Sequence, residues 1–154
     1  TGGAQERNMR GGTENVYGIV GLAKALEIAY RDMDEDMAHI KSLKTYMANR
    51  LNDEIPGISF NGDIAEGNLF TVLNVSFPPS DAGEMLLFNL DIAGIAASGG
   101  SACSSGSEVG SHVLRAMKTD PARPAVRFSF SRFNTKEEVD YCIDKLKECF
   151  LVKA

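Results

Sequence analysis

The chain has 154 residues, 44% of them hydrophobic and 24% charged, with a formal net charge of −5. This is ordinary globular composition, long enough for one domain with a sizeable core. The acidic balance argues against a general nucleic-acid binder, and no apolar run approaches the length of a membrane span.

The sequence opens at Thr1 with no secretory or transit segment, and it is expected to be part of a longer or processed protein. Residues 1–13 are Gly-rich and polar, carry Arg7 and Arg10, and read as a lead-in loop. From Glu14 to about Ala29, Val16, Ile19, Val20, Ala23 and Leu26 repeat at helical spacing. The pattern resumes in Met33, Met37, Ile40, Leu43, Met47 and Leu51. These stretches predict one long helix or a bent helical pair, ended by Pro56-Gly57, with its methionines as core filler.

The period then changes. Ile58–Phe60 predicts a short strand before the turn Asn61-Gly62. In Thr71–Phe77 the residues Thr71, Leu73, Val75 and Phe77 share one face, and Val72, Asn74 and Ser76 the other. Pro78-Pro79 stops that strand, and Ser80 is placed to cap a helix through Met85 to Leu90. Gly94–Ala97 predicts a short apolar strand, and Val109–Met117 a short helix with Val113, Leu114 and Met117 inward. Ala125–Ser131 alternates, and Thr135 with Glu138 predicts a capping box for a last helix. This order predicts an α+β fold, a small antiparallel or mixed sheet covered by helices.

Two residues carry candidate chemistry. Cys103 lies in Ala97-Ser98-Gly99-Gly100-Ser101-Ala102-Cys103-Ser104-Ser105-Gly106-Ser107, a run without helical or strand period that reads as a mobile loop. A thiol there is placed to act as a nucleophile, or is an incidental surface cysteine. Cys142 and Cys149 instead fall on the apolar stripe Val139, Ile143, Leu146 and Phe150, as buried free thiols. With no CxxC and no nearby His they are poor metal ligands, so no metal is expected. Three cysteines in such dissimilar settings fit a reducing, cytoplasmic location. Arg127 lies in mid-strand on the polar side with Ser129 and Ser131. It suits a carboxylate held by paired hydrogen bonds, or else is a surface arginine or a structural ion pair. His112, near Cys103 in sequence, lies in the short helix and reads as structural.

Several of these segments together resemble one family. Gly2-Gly3-Ala4-Gln5-Glu6-Arg7-Asn8-Met9-Arg10-Gly11-Gly12-Thr13-Glu14-Asn15 is similar to a GGxQERxxRxGTxN segment. Ser101-Ala102-Cys103 resembles an SGSAC site, and Val113-Leu114-Arg115-Ala116-Met117 follows at the expected distance. Val126-Arg127-Phe128-Ser129 and Arg132-Phe133-Asn134-Thr135-Lys136-Glu137-Glu138-Val139-Asp140 resemble a closing RFSxxRFNTxEEVD run. The family is the pyridoxal-phosphate-dependent class V aminotransferases, in their cysteine desulfurase, iron–sulfur-assembly branch. Ser98-Gly99-Gly100 is a mild departure from that pattern.

The resemblance implies the C-terminal domain of a PLP-dependent transferase fold, with 1–13 leading in from a large domain and 14–154 as the small domain. It implies a catalytic Cys103 on a loop over about 97–107, which takes sulfur from L-cysteine as a persulfide and leaves L-alanine. Arg127 would hold the substrate carboxylate. Thr13 would donate to the cofactor phosphate across a homodimer interface. The family's cofactor lysine, its ring-stacking His and its pyridinium-binding Asp have no counterpart here, so this stretch alone is expected to be inactive. A sulfur-acceptor scaffold is the expected partner. A selenocysteine lyase of the same fold, a non-catalytic interaction domain and a stand-alone sulfur carrier stay open as alternatives.

Overall fold

The computed structural model describes residues 2–64, 68–80, 83, 85–99 and 111–151, Leu151 by its backbone alone. The chain divides into two compact units, Thr1–Glu35 and Asp36–Ala154.

The first unit opens with a turn, Glu6–Asn8, in which Glu6, Arg7 and Asn8 all take positive φ, of 50, 55 and 67°. Gln5 and Arg10 close it as a backbone bridge. Helix α1, Val16–Glu54, then starts in this unit and continues into the second. The Asn15 side chain caps it by accepting from the Gly18 N–H at 3.1 Å. Of the two forms the spacing allowed, the single continuous helix is realised. In its first half Val16, Ile19, Val20 and Leu26 are exposed among the described residues. Met33 is about half exposed, so the methionines are not uniformly core filler, whereas Met47 is fully buried.

In the second unit, the described residues form a three-stranded antiparallel sheet, β1 (Ser59–Phe60), β2 (Val72–Ser76) and β3 (Ala125–Ser129), in the order β1-β2-β3. The alternation read from the sequence sorts its faces. Leu73, Val75, Phe77, Val126, Phe128 and Phe130 are buried, against Ile40, Leu43, Met47 and Leu51 of α1. Helices α2 (Leu86–Ile92) and α4 (Lys136–Leu151) add Leu86, Leu90, Val139, Ile143 and Leu146. Each such side chain contributes about 1.5–3 kcal/mol by leaving water. Phe77 and Phe150 stack with ring centroids 5.0 Å apart.

A polar brace ties α1 to α4. Arg50 donates to Glu54 and, at 2.6 Å, to Asp140; Tyr46 also donates to Asp140, at 2.5 Å; Lys147 donates to Glu54 at 2.7 Å. The predicted capping box is present at the start of α4. Glu138 N–H donates to Thr135 Oγ1 at 3.3 Å, and Thr135 N–H to Glu138 Oε2 at 3.1 Å.

Three local expectations are corrected. Ser80 Oγ accepts from Gly83 N–H at 3.2 Å, the bond of a cap, and Gly83 is helical, but the helix does not run on through Met85: Leu86–Ile92 is a separate element, α2, with no side-chain cap. Gly94–Ala97 forms no regular strand; it passes as irregular backbone to one bridge at Ser98. The short helix α3, His112–Ala116, is capped by Ser111, yet Val113 and Met117 are about half exposed rather than inward. With five residues, α3 is too short to offer the core a full apolar stripe.

Candidate functional site

The site is built on the sheet face turned away from the core. Because successive strand residues point to opposite faces, burying Leu73, Val75, Val126 and Phe128 forces Asn74 and Arg127 outward together. Asn74 and Arg127 are direct cross-strand partners. On its other side, Arg127 pairs with Ser98: Arg127 N–H donates to Ser98 O at 2.7 Å, and Ser98 N–H to Arg127 O at 3.1 Å. Arg127 thus turns both backbone groups toward Ser98. Its pairing with Asn74 is therefore of the kind without backbone hydrogen bonds, in which Cα atoms approach to about 4.5 Å and side chains are closest.

Asn61 extends this arrangement beyond β1. Its N–H donates to Asn74 O at 2.9 Å. Its side-chain amide donates to Asn74 Oδ1 at 2.7 Å and to Ser76 Oγ at 2.8 Å. The result is a transverse row, Asn61, Asn74, Arg127 and Ser98, on one face of the sheet. All four are half-buried. Arg127 Nε is buried and has no hydrogen-bond partner among the described residues. Among the described residues Arg127 makes no ion pair, and it is half-buried rather than fully exposed. A buried donor without an acceptor is costly, and an anionic ligand would satisfy it.

The approach to Cys103 is set by the end of α2. Gly94, at φ +75°, donates to Asp91 O at 2.9 Å, and Ile95 N–H donates to Leu90 O at 2.8 Å. This pair of bonds is a Schellman closure, which satisfies the last carbonyls and turns the chain toward Ser98. Cys103 itself, with most of the loop expected over 97–107, lies outside the described residues; Ala97, Ser98 and Gly99 are described.

Thr13 belongs to the first unit and is exposed. It follows Gly12, whose N–H donates to Gln5 Oε1 at 3.0 Å and whose carbonyl accepts from Arg10 Nη1 at 2.6 Å. Arg10 also pairs with Glu14. Thr13 thus lies between two tied neighbours, Gly12 and Glu14, with its own side chain exposed. His112 is exposed at the first turn of α3.

The other thiols are set apart. Cys142 is buried, and burial pushes its pKa up to about 12. Cys149 is half-buried, and its pKa is raised first by burial and then by Glu148. A groove of about 520 Å³ beside Cys142 is lined by apolar Met47, Phe128 and Phe130 and by polar Asn134, Glu137 and Glu138. Its Asn134 donates to Glu138, and its Tyr141 hydroxyl to Ala93 O. Sequence reasoning placed Arg127 on this face but missed Asn74, Asn61 and Ser98 as its neighbours. An Asn in mid-strand at the same parity as the outward positions was the available signal for Asn74; a single bridge at Ser98 leaves no periodic trace.

Helices packed on a small antiparallel sheet are a domain architecture that this chain shares with the aminotransferases. The sequence model of the aminotransferase class-V family matches residues 3–142, and the chain belongs to that family. Within it, the chain is 46% identical over 145 residues to a cysteine desulfurase of Gluconacetobacter diazotrophicus, covering 93% of this chain and 36% of that protein. It is 42% identical over 149 residues to the cysteine desulfurase IscS of Salmonella schwarzengrund, covering 96% of this chain and 36% of that protein. Among solved structures, a NifS-like protein from Rickettsia africae superposes with a TM-score of 0.75 at 28% identity, over 98% of this chain and 39% of that one. The chain therefore spans a little over a third of the length of these relatives. The described helices and antiparallel sheet are those of a domain of this transferase fold. Among the described residues, no helix is long and apolar enough to cross a membrane.

Proposed function

We propose that this chain is the thiol-bearing part of a pyridoxal-phosphate-dependent cysteine desulfurase that supplies sulfur to an acceptor protein for iron–sulfur assembly. The observation that carries this reading is the backbone bridge between Ser98 and Arg127. It ties the root of the Cys103 segment to the strand residue suited to a carboxylate. Cys103 follows Ser98 by five residues, a reach of at most about 18 Å.

The donors on the chain fit a phosphorylated cofactor and an amino-acid substrate. Arg127, with its buried Nε lacking an acceptor among the described residues, binds and orients the substrate carboxylate. Thr13 donates its hydroxyl to the phosphate, in a homodimer to that of the neighbouring subunit. The bound pyridoxal phosphate supplies the electron sink. The Cys103 thiolate forms an S–S bond to the substrate sulfur as the substrate C–S bond breaks. The electron pair stays with the substrate carbon, which takes up a proton. The balance is L-cysteine plus Cys103 thiol giving L-alanine plus Cys103 persulfide. A serine hydroxyl cannot replace the thiol, because it is too weak a nucleophile toward sulfur at neutral pH. The half-buried Cys149 and the buried Cys142, both described as free thiols, fit a reducing, cytoplasmic setting.

The test uses the intact protein loaded with pyridoxal phosphate and supplied with L-cysteine and a reductant. The wild type should release alanine and sulfide together, and Cys103→Ser should lose both. Undiminished sulfur release by Cys103→Ser would overturn the proposal.

A further inference from the structure

The row across the polar face contains a second donor that the function just proposed does not use. Asn61 donates both of its amide hydrogens, one to Asn74 Oδ1 at 2.7 Å and one to Ser76 Oγ at 2.8 Å. The Asn74 oxygen is therefore engaged toward β1. An amide whose oxygen is held on one side presents its NH₂ on the other. The next strand on that side is β3, and the residue directly opposite is Arg127. The Asn74 NH₂ makes no hydrogen bond within the described residues. Arg127 Nε likewise has no partner there.

Two neighbouring donor groups, one cationic and one neutral, share a half-buried face with no acceptor shown between them. They cannot satisfy each other, since both only donate. A carboxylate, with two oxygens and about four lone-pair sites, can accept from both at once. Ser76, 2% exposed and two residues along β2 from Asn74, accepts from the Asn61 amide and so helps to fix its orientation. We propose that Asn74 is a substrate-contacting residue, whose amide NH₂, oriented by Asn61, gives the substrate α-carboxylate a second hydrogen bond beside Arg127. Asn61 is then a positioning residue. The inference rests on the carboxylate role of Arg127 given above.

The consequence is selectivity. A ligand with amine and carboxylate gains from Asn74, while an amine lacking the carboxylate does not. The experiment measures equilibrium binding of L-alanine and of ethylamine to the intact, cofactor-loaded protein, from the change in its visible absorbance. Asn74→Ala should weaken L-alanine binding about ten- to a hundredfold, the range of a hydrogen bond to a charged group. It should leave ethylamine within about twofold. Asn74→Asp keeps the shape but sets a negative acceptor beside Arg127, and it should weaken L-alanine more than Asn74→Ala does. Asn61→Ala should shift L-alanine in the same direction by less.

A merely structural Asn74 would weaken both ligands alike, and that result overturns the proposal. So does an Asn74→Asp protein, folded by its thermal transition, that binds L-alanine as the wild type does. Arg127→Ala separates this inference from the reading beneath it. If Arg127→Ala abolishes the preference for L-alanine while the Asn74 variants keep it, only Asn74 is misassigned. If Arg127→Ala keeps the preference too, the carboxylate site itself is wrong and both fall.

Discussion

The three thiols of this chain differ because their surroundings set how readily each ionises. The nucleophile is the thiolate, so reactivity falls as pKa rises and as access closes. Cys142 is 6% exposed with its pKa pushed up to about 12, and Cys149 is half-buried with a smaller upward shift. In native protein at pH 8, iodoacetamide should reach Cys149 well before Cys142, and Cys103 before either. Peptide mass mapping over time gives the order. Alkylation of Cys142 at the rate of Cys149 would contradict the burial argument. The inert character of Cys142 is legible in the sequence, since a cysteine on an apolar helical stripe has nowhere to go but the core. The partial exposure of Cys149 is not, because it depends on how near the end of α4 the packed face stops.

At the scale of elements, the path to the site depends on one turn. Gly94 sits at φ +75°, a conformation that an L side chain strains even though a Cβ there has open space around it. Gly94→Ala should lower stability by about 1 kcal/mol or more in the intact protein, seen as a lower denaturant midpoint. An unchanged midpoint would show that the Schellman closure at the end of α2 does not contribute to stability. The α1–α4 brace makes a second prediction, in pH. Hydrogen bonds from Arg50 and then Lys147 hold the Glu54 carboxyl down to about 2, from an ordinary 4.5. A group depressed in the folded state stabilises it above its ordinary pKa and loses that contribution as it protonates. Stability should therefore fall as pH drops from about 4.5 toward about 2, and Glu54→Gln should flatten that slope. The slope is read from thermal midpoints across the window, and an equal slope in the variant would rule out Glu54 as its source.

The strands and the last helix are legible in the sequence for a shared physical reason. Leu73, Val75, Val126 and Phe128 alternate with polar neighbours, and Thr135 with Glu138 marks a helix start by chemistry that is local in the chain. What joins Ser98 to Arg127, or Asn61 to Asn74, is a pairing between distant segments. No local pattern records such a pairing until the register of the sheet is known. Gly94–Ala97 fails as a strand for the same reason: its apolar residues, Ile95 and Ala97, are explained equally well by irregular backbone lying against the core.

For the molecule as a whole, the proposed function assigns selection to one polar sheet face and sulfur acceptance to one thiol. The sheet register brings Arg127 beside Asn74 and Ser98, and the backbone bridge at Ser98 gives the segment leading to Cys103 its origin beside Arg127. Membership of the class V aminotransferases accounts for the fold, and the polar row explains how this domain would hold a substrate bearing a carboxylate. The most direct measurement is the mass of the peptide carrying Cys103, taken from intact, pyridoxal-phosphate-loaded protein after brief exposure to L-cysteine and alkylation without reductant. The account predicts that this peptide gains one sulfur atom, that Cys142 and Cys149 do not, and that L-alanine appears in equal amount in a single turnover. Alanine formed with the added sulfur on another cysteine, or with none on Cys103, would contradict it.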